Sequence, residues 1–270
     1  MSKSYQAARI ALAGALLLPV YFMAAALGTK LGLWGWRTGL GTLTAMVGPI
    51  LLGVVALTAL VALVWCLARP PRKGWWMALV ALLVPAVALV TLGGMRDRAG
   101  ANPIHDVATD VADPPAFAPS VVELRAKGGL NPILDYGAVL GEVGPWGPDS
   151  FPEVAHETHR SLVPKLYPQL KPLVVDAAPE AAILAIQAAM VEQGLGEVTS
   201  DVSQGTVSGV AETFWFGFSD DVVARVRPGE GGTVIDFRSA SRVGLSDLGA
   251  NAHRIDELRG AVAKALGATR

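Results

Sequence analysis

No acidic residue occurs before Asp97, although the chain holds 23 of them in 270 positions. The first 95 residues carry Lys3, Arg9, Lys30, Arg37, Arg69, Arg72 and Lys73 and little else that is polar. Beyond them, 15 basic residues face all 23 acidic ones, so the formal net charge of −1 conceals two bodies of opposite sign. A body this acidic lacks the clustered Lys and Arg that neutralise phosphates, which excludes nucleic acid as an expected partner. Cysteine is almost absent too. The single Cys66 lies in an apolar run, so the water-facing part has no thiol for a disulfide, a nucleophile or a thiolate zinc site. No phosphate-binding loop, dinucleotide glycine motif or Ser-His-acid pattern stands in the sequence.

What is present instead is three apolar runs, residues 7–27, 45–68 and 75–92. Each is long enough to cross a bilayer, which takes about 20 helical residues. Each holds one proline, Pro19, Pro49 or Pro85, which neighbouring helices tolerate in a membrane. Trp34, Trp36, Trp65, Trp75 and Trp76 stand at or near the ends of the runs, where an indole sits at headgroup level. Residues 1–94 therefore read as a three-span anchor in a lipid bilayer. Flanking charge sets the orientation. With the N-terminus inside, Lys3, Arg9, Arg69, Arg72 and Lys73 are cytoplasmic and Lys30, Arg37, Arg96 and Arg98 outside. Three spans then place the C-terminal part outside, which in a bacterium is the periplasmic face of the inner membrane. A competing reading makes the first run a signal peptide cleaved near Ala24, Ala25 and Ala26; two spans would still hold the rest at the membrane.

Residues 95–152 are rich in Gly, Pro and Asp and read as a stalk or wrapped-on loop. Residues 153–270 read as a soluble α+β domain, an antiparallel sheet packed against helices. Helices are expected at 153–163, 179–193 and 248–266, and strands at 170–175, 207–218, 221–227 and 234–241, with Pro172 marking a sheet edge. Across the glycine-rich turn after Arg227, pairing Arg227 with Val234 sets Arg225 opposite Asp236. One face of that hairpin is then apolar and the other a charged ladder. In the last helix Leu248, Ile255, Leu258, Val262 and Leu266 form a buried stripe, with Ser246 or Asp247 as N-cap.

Several of these residues carry a resemblance. Ile104-His105-Asp106 with Thr109, Asp110 and Asp113-Pro114-Pro115, then Phe216-Gly217-Phe218 with Asp220 and Asp221, form the first blocks. The run Asp236 to Gly244 with Asp247, Gly249, Asn251, Ala252, Arg254 and Ile255 forms the last. Together, over residues 104–262, they resemble the family catalogued as domain of unknown function 1499. The resemblance implies a bacterial or plastid protein and a domain boundary, without an assigned activity.

Function is argued from the polar residues where the last strand passes into the last helix. Arg225, Arg238, Arg242, Asp247, Asn251 and Arg254 are the candidate ligand-binding set. Either they pair with one another as a structural network, or their guanidinium groups hold an anionic small molecule or lipid headgroup at a helix N-terminus. Docking an envelope protein partner is the further binding reading. Glu212 shares parity with Val210, Phe214 and Phe216, which puts it on the apolar face of its strand, as half of a buried ion pair or as a general acid or base. Glu212 and His105 with Asp106 are thus the catalytic candidates of an alternative, a membrane-tethered hydrolase. No cofactor and no metal are expected. His156 and His159 stand three apart, with Arg160 where a zinc-protease helix needs its second histidine, and His105, Asp106 and Asp110 follow no ligand spacing.

Overall fold

The computed structural model describes residues 2–143 and 152–268. The part of the expected stalk at 144–151 lies outside the described residues. The chain divides into two compact units, one of residues up to Asp97 with Thr213–Gly217, the other Arg98–Glu212 with Phe218 onward.

The first unit is built on α1 (Lys3–Lys30), a π-wound stretch Arg37–Val47 running into α2 (Gly48–Ala68), and α3 (Trp75–Ala101). All three helical segments are long and apolar enough to cross a membrane. Small side chains pack them together: Ala8, Ala11 and Ala15 meet Ala59, Ala62 and Cys66, with Ala78 and Ala81 closing the cluster. Small residues let helix backbones approach closely where water exclusion supplies no drive. The large apolar side chains point away from it: Ile10, Leu16, Leu17, Ile50, Leu57, Val87 and Val90 are all exposed. That inversion of a soluble protein's pattern is what lipid-facing helices require.

The second unit contains a six-stranded sheet. Its elements are β1 (Asp106–Ala108), α4 (Pro119–Gly128), α5 (Leu140–Val143), α6 (His159–Leu166), β2 (Leu173–Val175) and α7 (Pro179–Glu192). They are followed by β3 (Gly196–Asp201), β4 (Thr206–Glu212), β5 (Ser219–Gly229), β6 (Gly232–Ser241) and α8 (Ala250–Ala265). All pairing is antiparallel, in the order β1-β6-β5-β4-β3, with β2 beside β6 on the same edge as β1. The α+β class expected from the sequence is the class found. So is the register, Arg225 facing Asp236 and Arg227 facing Val234. β2 lies at the sheet edge, as Pro172 indicates.

α7 and α8 cover one face. Ile186 and Met190 of α7 and Ile255, Leu258 and Val262 of α8 join Val222, Ala224, Ile235 and Phe237 in one core. Gly232 closes the β5–β6 hairpin with φ +131°, where a Cβ would lie 2.3 Å from the Val175 carbonyl oxygen, so only glycine fits beside β2.

Several boundaries differ from those expected. α3 continues to Ala101, and Ile104, Val107, Tyr136 and Leu140 are at most 1% exposed in the core, so the residues read as a stalk are largely structural. Polar composition concealed this because their polar groups are consumed inside the fold. The helix read at 153–163 starts at His159, where Thr158 and Ser161 form a capping box, and it holds Pro164 inside its eight residues. β4 ends at Glu212 rather than running to 218. Its buried positions are Val207, Gly209 and Ala211, so Glu212 is exposed and not on the apolar face. Leu248 precedes α8 with φ +58° and is 43% exposed, which removes it from the buried stripe. The N-cap position is Gly249, but Asp247 still accepts from the Gly249 and Asn251 backbone N–H groups at 2.8 and 2.7 Å, so its carboxylate satisfies the first turn.

Ile104→Ala distinguishes core from stalk. It is expected to cost about 2–5 kcal/mol in denaturant titration of the full chain, where a solvated stalk would lose almost nothing.

Candidate functional site

Alternation along β6 puts Asp236, Arg238 and Ala240 on one face and Phe237, Ser239 and Ser241 on the other. The candidate residues therefore do not form one cluster. The sheet separates them into two networks.

The first network lies on the face away from α8. Arg238 makes a two-pronged contact with Asp106 of β1, Nε to Oδ1 at 3.0 Å and Nη2 to Oδ2 at 2.8 Å, and Tyr136 donates its hydroxyl to the same Oδ1 at 2.8 Å. The guanidinium lies between two rings, 5.1 Å from Phe117 and 4.8 Å from Tyr136, and donates to the Pro115 carbonyl at 3.2 Å. Burial resists the charge on Arg238, yet Asp106 raises its pKa further above the ordinary arginine value. Burial likewise resists the charge on Asp106, and Arg238 outweighs it to hold the carboxyl low. Beside them Asp221 receives Arg125 Nε at 2.8 Å and Arg242 Nη2 at 2.6 Å. Arg125 spends its other donors on the Ala240, Ser241 and Asn131 carbonyls at 2.7, 3.2 and 3.0 Å. Further along, Arg225 bonds Asp236 at 3.0 Å and Asp113 at 2.8 Å, and Arg227 bonds Asp236 at 3.0 Å and Asp110 at 3.3 Å. The middle of the charged ladder is thus buried, with Asp236 at 0% and Arg238 at 3% exposure, while Arg225 and Arg227 stay half-buried. Residues 109–134, read from sequence as a stalk or wrapped-on loop, add Asp110, Asp113 and Arg125 to its ion pairs.

The second network joins β5 and β6 to α8. Arg254 donates to Asp220 at 2.8 Å and Ser239 at 3.0 Å. Asn251, fully buried, donates to the His105 carbonyl and the Ser241 hydroxyl, each at 2.9 Å. Burial pushes the Asp247 carboxyl up, partly offset by the two N–H groups that it caps.

The catalytic candidates are far from alike. His105 is 3% exposed, its Nδ1 3.4 Å from the Leu245 carbonyl, and burial lowers its pKa. Glu212 is exposed, on a shallow groove of about 430 Å³ that it shares with Leu195, Ala211, His253, Arg254 and Glu257. His156 is exposed while His159 is buried and stacked on Tyr136 at 5.1 Å, so the pair does not share a site. Among the described residues no group of three or more His, Cys, Asp or Glu is arranged to hold a metal. Sequence reasoning missed Arg125 and Tyr136, both buried to about 1% exposure. The single available signal for Arg125 was its spacing four after Val121, which puts both on the inner face of a short helix.

The model of the family described as Protein of unknown function (DUF1499) matches residues 106–262. No curated protein and no solved structure matches the chain.

Asp106→Ala leaves the Arg238 charge and the Tyr136 hydroxyl buried without their acceptor and is expected to cost about 3–5 kcal/mol, while Asp106→Leu with Arg238→Met and Tyr136→Phe recovers most of that loss in the same denaturant titration. A pH dependence follows from His159. Burial pushes its imidazole down to about 4, with Asp106 partly offsetting and His105 and Arg238 adding to the shift. Between about pH 4 and 6.5 the unfolded chain therefore holds a proton that the fold refuses. Stability is full above about pH 6.5 and falls by up to about 3 kcal/mol as pH drops to about 4. His159→Phe, which keeps the stack on Tyr136, flattens that decline in acid titrations followed by circular dichroism.

Proposed function

The chain belongs to the DUF1499 family of proteins of unknown function, and from that premise we propose that it holds a non-catalytic α+β binding domain on the periplasmic face of a bacterial inner membrane, where the domain docks a protein partner. The observation that carries this reading is that Arg225, Arg238, Arg242 and Arg254 each spend their donors on a carboxylate of the same domain. An anionic small molecule or headgroup would have to displace bound carboxylates to reach them, which makes it the less supported ligand. The groove at the start of α8 is open, and its lining mixes Glu212, His253, Arg254 and Glu257 with Leu195, Ala211 and Ala250. Such a mixture suits a polar protein segment better than a single anion. The periplasmic placement rests on the basic cluster Arg69, Arg72 and Lys73 with Lys3 and Arg9 on the cytoplasmic side.

A membrane-tethered hydrolase acting through Glu212 or through His105 and Asp106 has less support. A general base must reach a substrate proton, whereas His105 is buried and both Asp106 oxygens are already bonded to Arg238.

Native mass spectrometry of the full chain, released gently from its own membrane, tests the reading. A partner's mass is expected on the chain and is expected to vanish in His253→Glu with Glu257→Lys, with thermal unfolding unchanged. A small adduct that survives those changes but is lost in Arg254→Ala would give the site back to an anion, and turnover abolished by both Glu212→Gln and His105→Ala would give it to a hydrolase. A bare chain throughout overturns the binding reading.

A further inference from the structure

The connection between β4 and β5 reads Thr213-Phe214-Trp215-Phe216-Gly217-Phe218, four aromatic side chains in six residues. Its two tip rings, edge to face with centroids 5.1 Å apart, stand out from the fold, Phe214 at 73% and Trp215 at 51% exposure. Large rings held out together are uncommon on a surface that meets only water. The loop Thr213–Gly217 belongs to the same compact unit as the membrane-length helices. Lys30, the last residue of α1, donates from Nζ to the Phe214 carbonyl at 3.0 Å and sits 5.4 Å from the centre of the Phe214 ring. Gly217 has φ +67°, and a Cβ there would lie 3.0 Å from Lys30 Cγ and 3.2 Å from its Cα, so the loop is pressed against the helix end where glycine fits most easily.

The same end of α1 carries other marks of a bilayer surface. Trp34 folds back to donate to the Ala25 carbonyl at 3.1 Å, and Arg37 stacks on Trp36 at 4.9 Å. A lysine that closes an apolar span extends its ammonium to the headgroups, and indole rings collect at that depth. Whatever lies against Lys30 lies at that depth as well. We infer that the loop Thr213–Gly217 is a membrane-interface anchor, with Phe214 and Trp215 inserted at the boundary between headgroups and acyl chains. The occupant of this surface is the lipid bilayer, and the sheet gains a second attachment to it through its β4–β5 connection. The inference does not depend on whether the domain docks a partner.

The test uses the full chain with Cys66→Ala, reconstituted in vesicles of phosphatidylcholine and phosphatidylglycerol, with a fluorescent label on Trp215→Cys. Leu31→Cys, at the end of α1, and Val202→Cys, on the exposed β3–β4 turn, are the two references. Lipid spin-labelled near the headgroup is expected to quench the label at 215 as strongly as at 31 and several-fold more than at 202, with aqueous iodide giving the reverse order. A label at 215 that iodide reaches and lipid does not, as at 202, overturns the inference. If Cys66→Ala fails to fold, brominated lipid serves on the otherwise unaltered chain. The amount of tryptophan emission it quenches should fall in Trp215→Phe, and an unchanged amount is again decisive against the anchor.

Discussion

A charge buried inside a sheet needs its counter-charge within hydrogen-bond reach, and the pairing of Arg238 with Asp106 is where this chain meets that demand. The contact ties the edge strand β1 to the central strand β6, and Tyr136 and Phe117 enclose the guanidinium from the segment that follows. Asp221 repeats the arrangement with Arg125 and Arg242, and Asp236 with Arg225 and Arg227. With Asp110 and Asp113 reaching Arg227 and Arg225, five carboxylates and five arginines decide how residues 104–134 lie over the sheet. Were the segment lifted off, the ladder would face water, and the hydrophobic contacts of Phe117 with Val223 and Ala240 would be lost with it.

Such a network adds little net stability, because dehydrating each charge offsets much of what the pairing returns. Its effect is on uniqueness. A guanidinium held by two carboxylate oxygens and two rings has one geometry, whereas apolar surfaces of similar area tolerate several. The face against α8 works differently: apolar packing around Phe237 and Ile255 carries the burial, and Asn251 and Arg254 fix the register of helix on sheet. One sheet is therefore packed by apolar contact on one side and by charge pairing on the other.

The two compact units are packed in opposite senses. Among the helices of membrane length, the inner cluster is mostly alanine and most leucines, isoleucines and valines face outward, while in the second unit the large apolar side chains are mostly inside. The loop Thr213–Gly217 keeps the first pattern, although the strands on either side of it keep the second.

Much of this was legible from residue order alone. The absence of acid before Asp97, the three apolar runs, the α+β class, the β5–β6 register and α7 all follow from local pattern, since alternation and helical period act between near neighbours. The candidate arginines were legible as a group but not as two networks, because Arg254 on α8 meets Asp220 on one face of the sheet while Arg225, Arg238 and Arg242 meet acids on the other, and strand boundaries such as the turn at 213–217 set which face a residue takes. Glu212 changed sides for that reason. The segment after α3 read as a stalk or wrapped-on loop because Asp106, Asp110 and Asp113 are polar in any list, and only partners more than a hundred positions away, Arg238, Arg227 and Arg225, bury Asp106, half-bury Asp110 and tie the exposed Asp113 to the sheet. Local sequence determined which segments are long and apolar enough to cross a membrane and which form sheet and helix; the tertiary structure alone decided which charges are buried, since burial of a charge is a property of the pair and not of either residue.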